Sequence, residues 1–196
     1  LVYREPETPW GRAMNYGAIK YCDIANGVGV RTSLFVSGCR VHCPGCFNDE
    51  AQSFTFGKPF TREVADEIIE SLRPSYVRGL SLLGGDPMEP EHQEELLALC
   101  ELVIRELPEK DIWCYTGYVY DRDLVPGGKR YLENVTDELL DCIDVLVDGP
   151  FVANEKDITL RFRGSSNQRL IDVSMTRETG QITLWDDGPV FGTHSM

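Results

Sequence analysis

The chain is poor in positive charge: 19 Lys and Arg stand against 32 Asp and Glu among 196 residues, a formal net charge of −13 at pH 7. Affinity for nucleic acid rests on neutralising phosphates with basic side chains, and this balance disfavours it; the dispersed acids read as a solvating surface. Long apolar runs are missing too. Stretches such as LLAL at 96–99 and VLV at 145–147 fall far below the roughly 20 residues that span a bilayer. The opening LVYREPETPWGR carries Glu and Pro where a secretion signal needs an apolar stretch, so a cytoplasmic protein without a membrane partner is expected. Histidine is scarce, with three in the chain. His92, expected on the surface at the acidic start of a helix, and His194, in the tail, offer no basis for histidine catalysis. A G-x-x-x-x-G-K phosphate loop is absent, and GVG at 27–29 lacks dinucleotide-binding spacing. There are no internal repeats or low-complexity tracts.

What is present is enough apolar material, 42% of residues, for one globular core. Residues 30–38 (VRTSLFVSG) are rich in β-formers and end in glycine, predicting a strand. Residues 61–72 predict a helix with Thr61 as N-cap and Val64, Ile68 and Leu72 at helical spacing. GLSLLGG at 79–85 predicts a short buried strand stopped by glycines, and residues 89–107 a second helix with Leu96, Cys100, Val103 and Leu107 on one face. Further strands are expected at 111–117, 143–149 and 160–165 (LRFRGS), a helix at 136–143, and a late hairpin whose return arm is ITLWDDG at 182–188. Strands alternating with helices imply parallel βαβ units with the active site at the carboxyl ends of the strands. A closed eight-fold barrel needs about 250 residues, so the expected fold class is α/β, a partial, open β/α barrel of about five to six parallel strands.

Seven cysteines in a cytosolic chain do not suggest a disulfide framework. Three of them, Cys39, Cys43 and Cys46, fall within SGCRVHCPGCFN at 37–48. The remaining four, Cys22, Cys100, Cys114 and Cys142, are expected as small buried hydrophobes. A structural zinc site is closed by four ligands, and the nearest fourth donor, His42, adjoins Cys43, where two side chains rarely converge on one ion. A 4Fe-4S cluster takes one thiolate per iron, so three thiolates leave one iron open, the mark of a catalytic metal centre. Arg31, just upstream, is expected as a solvated charge, with shaping of the cysteine loop or contact with a partner as the alternative.

The spacing C-x3-C-x2-C resembles the cluster motif of the radical S-adenosylmethionine (SAM) enzymes. Together with DIANGVGVRTSLFV before it, LSLLGGDP at 80–87, DIWCYTGY at 111–118, DVLVDGPFV at 144–152 and RGSSNQR at 163–169, the chain resembles the activating enzymes of the anaerobic ribonucleoside-triphosphate reductase. The likeness covers most of residues 14–169, which leaves residues 1–13 as an N-terminal extension and 14–196 as a single radical SAM domain with a C-terminal hairpin. The resemblance implies that Cys39, Cys43 and Cys46 hold a 4Fe-4S cluster whose open iron binds SAM. Gly45 replaces the aromatic residue that often precedes the last cysteine, and Phe47, with Asn48, would stand beside the cofactor instead. Gly84, Gly85 and Asp86 would form the turn at the SAM amino group, the two glycines permitting close backbone approach. Asp148 would be a SAM-binding aspartate, with Thr116, Gly117, Ser166, Asn167 and Arg169 as further cofactor contacts. The implied reaction is reductive cleavage of SAM to a 5′-deoxyadenosyl radical that takes hydrogen from a glycine of the reductase large subunit, fed by a flavodoxin- or ferredoxin-type donor. The alternatives are a radical SAM enzyme acting on a small molecule or on another glycyl-radical enzyme such as pyruvate formate-lyase, and a non-enzymatic zinc module.

Overall fold

The computed structural model describes residues 10–11, 13–46 and 48–187. Seven strands form one sheet: β1 (Asn15–Asp23), β2 (Val30–Ser37), β3 (Lys58–Pro59), β4 (Val77–Gly84), β5 (Asp111–Tyr115), β6 (Val145–Asp148) and β7 (Arg169–Asp172). Their order is β3-β1-β2-β4-β5-β6-β7, and the sheet does not close. The helices are α1 (Arg62–Leu72), α2 (Pro90–Glu106), α3 (Tyr120–Asp123), α4 (Thr136–Asp141) and α5 (Val173–Thr179).

Four neighbours, β2, β4, β5 and β6, run parallel. β1, β3 and β7 run antiparallel to theirs, so the five to six parallel strands expected are four. The reason lies in the connections. Residues 24–29 are too few for the crossover that a parallel pair requires, and β1 therefore folds back on β2. β1 itself escapes a pattern search because its ladder is interrupted near Gly17 and again before Asp23, and most of its residues are not buried. The strand expected at 160–165 is not formed; those residues are turns and bends apart from a bridge between Lys156 and Ser165.

Each central strand sends alternate residues to opposite faces. Ile112 and Cys114 of β5 join Leu34, Leu80, Leu82 and Leu146 in the main core against α1 and α2. Trp113 of the same strand joins Val145, Val147 and Leu170 on the other face, with Tyr115, Phe162 and Trp185 packed against them. The predicted apolar stripes hold: Ile68 and Leu72 of α1, and Leu96, Cys100 and Val103 of α2, are all buried. Burying each large aliphatic chain stabilises the fold by about 1.5–3 kcal/mol. Gly11, Ala13 and Met14 are tied down as well, since the Glu95 carboxylate accepts from their N–H groups at 3.3, 2.9 and 3.0 Å. No helix among the described residues is long and apolar enough to cross a membrane.

Arg31 corrects the expectation of a solvated charge, for it is 0% exposed. Its guanidinium ion-pairs with Asp111 at 2.6 Å, donates to Ser81 Oγ and the Leu80 carbonyl at 2.7 Å each, and lies 5.5 Å from the centre of the Trp113 ring. A buried cation persists only when its donors are used in this way. Cys22, expected in the core, is exposed. Arg78 also pairs with Asp111, at 2.6 Å, with its side chain 62% exposed. Urea unfolding will therefore show Arg31→Met destabilised by about 3 kcal/mol or more and Arg78→Met by less than about 1 kcal/mol. Equal losses would refute the structural role assigned to Arg31.

Candidate functional site

The carboxyl ends of the four parallel strands meet along one edge of the sheet, and each opens into a turn. The turns after β2 and β4 are locked by backbone hydrogen bonds: Gly85 N–H donates to the Val36 carbonyl at 2.7 Å and Asp86 N–H to the Gly38 carbonyl at 2.8 Å. Gly38 N–H in turn donates to Ala51 at 2.7 Å, and Cys39 N–H to Gln52 at 3.1 Å, which closes the cysteine loop on itself. Glycine is required here. Gly84 has φ +111°, and a Cβ on Gly85 would stand 2.4 Å from the Gly38 carbonyl oxygen. The close approach that GGDP permits is therefore made to the protein's own cysteine loop.

Asp86 ties the third turn to the first two. Its carboxylate accepts from Thr116 Oγ1 at 2.7 Å, Gly117 N–H at 2.8 Å and Met88 N–H at 2.9 Å. Burial pushes its pKa up to about 7 against the pull of those donors. Together the turns frame an open cleft of about 700 Å³ whose lining includes Cys39, Cys43, Cys46, Gly84, Asp86 and Gly117. Gly85, Thr116 and Asn48 also reach it.

All three loop cysteines are half-buried thiols. Cys39 Sγ accepts from Val41 N–H, and Cys46 Sγ from Asn48 N–H, both at 3.4 Å. Burial, followed by the charge of Asp86, raises the Cys39 thiol to about 11, and burial raises Cys43 too. Among the described residues no three His, Cys, Asp or Glu side chains are grouped closely enough to hold a single metal ion. His42, the one nearby histidine, has its Nδ1 2.7 Å from Gln52 Oε1.

One anchor of the loop is not apparent from the sequence. Glu89 is buried and accepts from Arg40 N–H and Arg40 Nη1, both at 2.7 Å, and from Tyr118 OH at 2.6 Å, with Arg130 Nε at 3.4 Å. The residue after the first cysteine is thus clasped by main chain and side chain together. Glu89 reads locally as an acid before a helix, and nothing in its neighbourhood announces partners 49 and 29 residues away. His92, expected on the surface, is buried behind the same turns with Nδ1 2.7 Å from the Asp86 carbonyl. Desolvation lowers its pKa, and Nδ1 is the donor in this contact because a carbonyl oxygen only accepts.

The remaining expected residues divide by position. Asp148 is buried, accepts from Tyr120 N–H at 2.8 Å, and forms a two-point pair with Arg169, whose guanidinium also reaches Asp121. Neither Asp148 nor Arg169 lines the cleft. Ser166 is exposed and bonds Glu155, and Asn167 donates to the Pro150 carbonyl; both stand behind the wall. Their neighbour Gln168 does line the cleft, as do Lys20, Tyr115, Phe151 and Lys156. A polar stretch such as SSNQR does not reveal which of its side chains turns inward. Phe47 lies outside the described residues.

Because Gly85 abuts the backbone of Gly38, Gly85→Ala is expected to destabilise the metal-free protein by about 3 kcal/mol or more. Gly45→Ala, at φ +74° with nothing within 4 Å, should cost only about 1–2 kcal/mol. Urea denaturation reads both, and similar losses would refute the tight junction.

Residues 25–171 match the family model described as a 4Fe-4S single cluster domain. The chain is 43% identical over 157 residues to the anaerobic ribonucleoside-triphosphate reductase-activating proteins of Salmonella typhimurium and Escherichia coli K12, covering 79% of this chain and 96% of each relative. The protein of the same name from Enterobacteria phage T4 is 41% identical over 157 residues, 80% of this chain and 93% of the relative. A three-cysteine loop on a strand end, set in a family model over most of the chain and in a match that spans nearly the whole length of these relatives, makes this chain a member of the anaerobic ribonucleoside-triphosphate reductase-activating protein family.

Proposed function

We propose that the chain is a radical SAM activase that generates the glycyl radical of the anaerobic ribonucleoside-triphosphate reductase. The observation that carries this reading is the set of three thiols, Cys39, Cys43 and Cys46, lining one open cleft at the ends of the parallel strands. A structural zinc ion is closed by four donors. A 4Fe-4S cluster takes each thiolate on a different iron, and three donors leave the fourth iron for another ligand. The donor set fits the cluster and counts against the zinc module.

In this reading Cys39, Cys43 and Cys46 hold the cluster, and the turns at Gly84, Gly85, Asp86, Thr116 and Gly117, with Asn48 and Phe47, receive SAM beside it. Asp148 and Arg169, paired with each other, support that wall from behind, together with Ser166 and Asn167. A cluster held by Cys39, Cys43 and Cys46 would supply the electron for reductive cleavage of SAM, and the hydrogen abstraction that this chemistry permits would fall on a glycine Cα of the partner. The chain's own contribution is placement: it holds the reacting groups at one cleft so that transfer outruns side reactions. The open side of the sheet supports a protein substrate, because a chain of this size encloses little, and the relatives' name supports the reductase as the partner. A flavodoxin- or ferredoxin-type protein would deliver the electron.

Cys39→Ala, Cys43→Ala and Cys46→Ala are each expected to abolish iron–sulfur absorption and SAM cleavage, while Cys100→Ala and Cys142→Ala keep both. With the cognate reductase and SAM, the reduced wild-type protein should produce a protein-based doublet in electron paramagnetic resonance. Deuterium on the target glycine should appear in 5′-deoxyadenosine. Turnover of a small metabolite with no label transfer from the reductase would overturn this reading in favour of a small-molecule enzyme, and radical formation on pyruvate formate-lyase alone would reassign the partner.

A further inference from the structure

The family match ends at residue 171, yet the chain continues into an ordered arm. After α5, residues 182–185 return alongside β7: Asp172 N–H donates to the Thr183 carbonyl at 2.9 Å, Trp185 N–H donates to the Leu170 carbonyl at 2.8 Å, and Ile171 bridges Leu184. The segment expected as a return arm at 182–188 pairs with β7 over its described residues, with α5 between the two in place of a hairpin turn. This arm brings Trp185 against Trp113 and Asp187 against the loop before β7.

The Trp185 ring stands edge-on to Trp113, centroids 5.0 Å apart at 73°. On the same indole packs Phe162, at 5.1 Å and 76°. Two residues beyond Trp185, the Asp187 carbonyl accepts from Arg161 Nη1, and its carboxylate pairs with Arg163 Nη1 at 3.2 Å. The arm therefore holds Arg161 and Arg163 directly, on either side of the Phe162 that packs on Trp113, in the loop between residues 153–155 and β7. That loop is closed at its base by the Lys156–Ser165 bridge and by Gln168, whose Oε1 accepts from Gly164 N–H at 2.8 Å. Lys156, Gly164 and Gln168 all line the cleft.

Bonds within the loop run from Asp157 N–H to the Gly164 carbonyl at 3.2 Å and from Thr159 to the Asp157 carboxylate, and the rest of the loop is held from outside. It has neither helix nor strand, and Phe162 sits at φ +58°. A bulky residue in the left-handed region persists only where its surroundings over-determine it, and such strain gathers at functional walls. The surroundings that do so here are Trp113 from β5 and the arm.

We propose that residues 182–187 are a positioning strap: Asp187 directly, and Trp185 through Trp113, fix the loop 157–164, which reaches the cleft at Gly164, and so govern how the partner's glycine-bearing segment is received. The second half of this statement rests on the activase reading. The first half concerns the metal-free chain and is tested without cofactor or partner.

Amide hydrogen exchange on the metal-free protein is the measurement, with Trp185→Ala, Asp187→Ala and Arg163→Met as variants and Trp185→Phe as the conservative control. Loss of an edge-on aromatic pair should speed exchange across residues 157–164 by about three- to tenfold, with α1 and α2 unchanged and Trp185→Phe close to wild type. Unchanged exchange in the loop would overturn the strap, and so would acceleration spread evenly over the domain, because the arm would then be ordinary core. In the loaded enzyme, Asp187→Ala should raise KM for the reductase with kcat and partner-free SAM cleavage unaltered; an unaltered KM would overturn the receiving role. Absence of any radical on the reductase with wild-type protein would fail the activase reading, and it is read separately from the exchange result.

Discussion

The backbone junction between the ends of β2 and β4 is the constraint on which the rest of the site depends. Val36 and Gly38 accept hydrogen bonds from Gly85 and Asp86, and no side chain fits between the two turns. That junction sets the root of the cysteine loop against the turn that would face SAM, on strands whose direction is fixed by the helices packed behind them. Asp86 extends the lock to Thr116 and Gly117 after β5, and Glu89 extends it to Arg40 inside the loop. The thiols are presented by a framework that holds without the metal, in which backbone bonds and buried carboxylates replace ligand bonds as the source of order.

A consequence is that most residues around the cleft are already satisfied by one another. Asp148 and Arg169 neutralise each other, and Asp86 spends its oxygens on three donors. The cleft lining includes main chain at the glycine turns, the three thiols, and Lys20, Tyr115 and Lys156. A site built this way recognises a ligand by shape and backbone polarity more than by a ring of charged side chains. Such a surface accords with holding a zwitterionic cofactor next to a cluster and leaving one side accessible.

Sequence reading recovers the features that are local. The cysteine spacing, the glycine turn after β4, the parallel strands with their helices, and the helix faces at Ile68 and Val103 all follow from neighbours within a few residues. It fails where the cause is distant. Arg31 and His92 read as surface charge because each is stabilised by partners elsewhere: Arg31 by Asp111, 80 residues on, and His92 by a turn carbonyl. β1 is held by its ladder to β2 rather than by an apolar pattern, and the segment at 160–165 has β-like composition yet spends its side chains on Trp113 and Asp187. The inward turn of Gln168 beside outward Ser166 has the same character, since a polar loop carries no periodicity from which orientation could be read.

The account stands on three thiolates holding a four-iron cluster with one iron left for SAM. The direct measurement is iron and sulfide analysis of anaerobically reconstituted protein, joined to electron paramagnetic resonance of the reduced sample with and without SAM. The account predicts one 4Fe-4S cluster per chain and a signal whose g-values shift on adding SAM, as expected when a ligand enters the open iron. Stoichiometric zinc with no iron–sulfur signal, or a cluster signal that SAM leaves untouched, would contradict it.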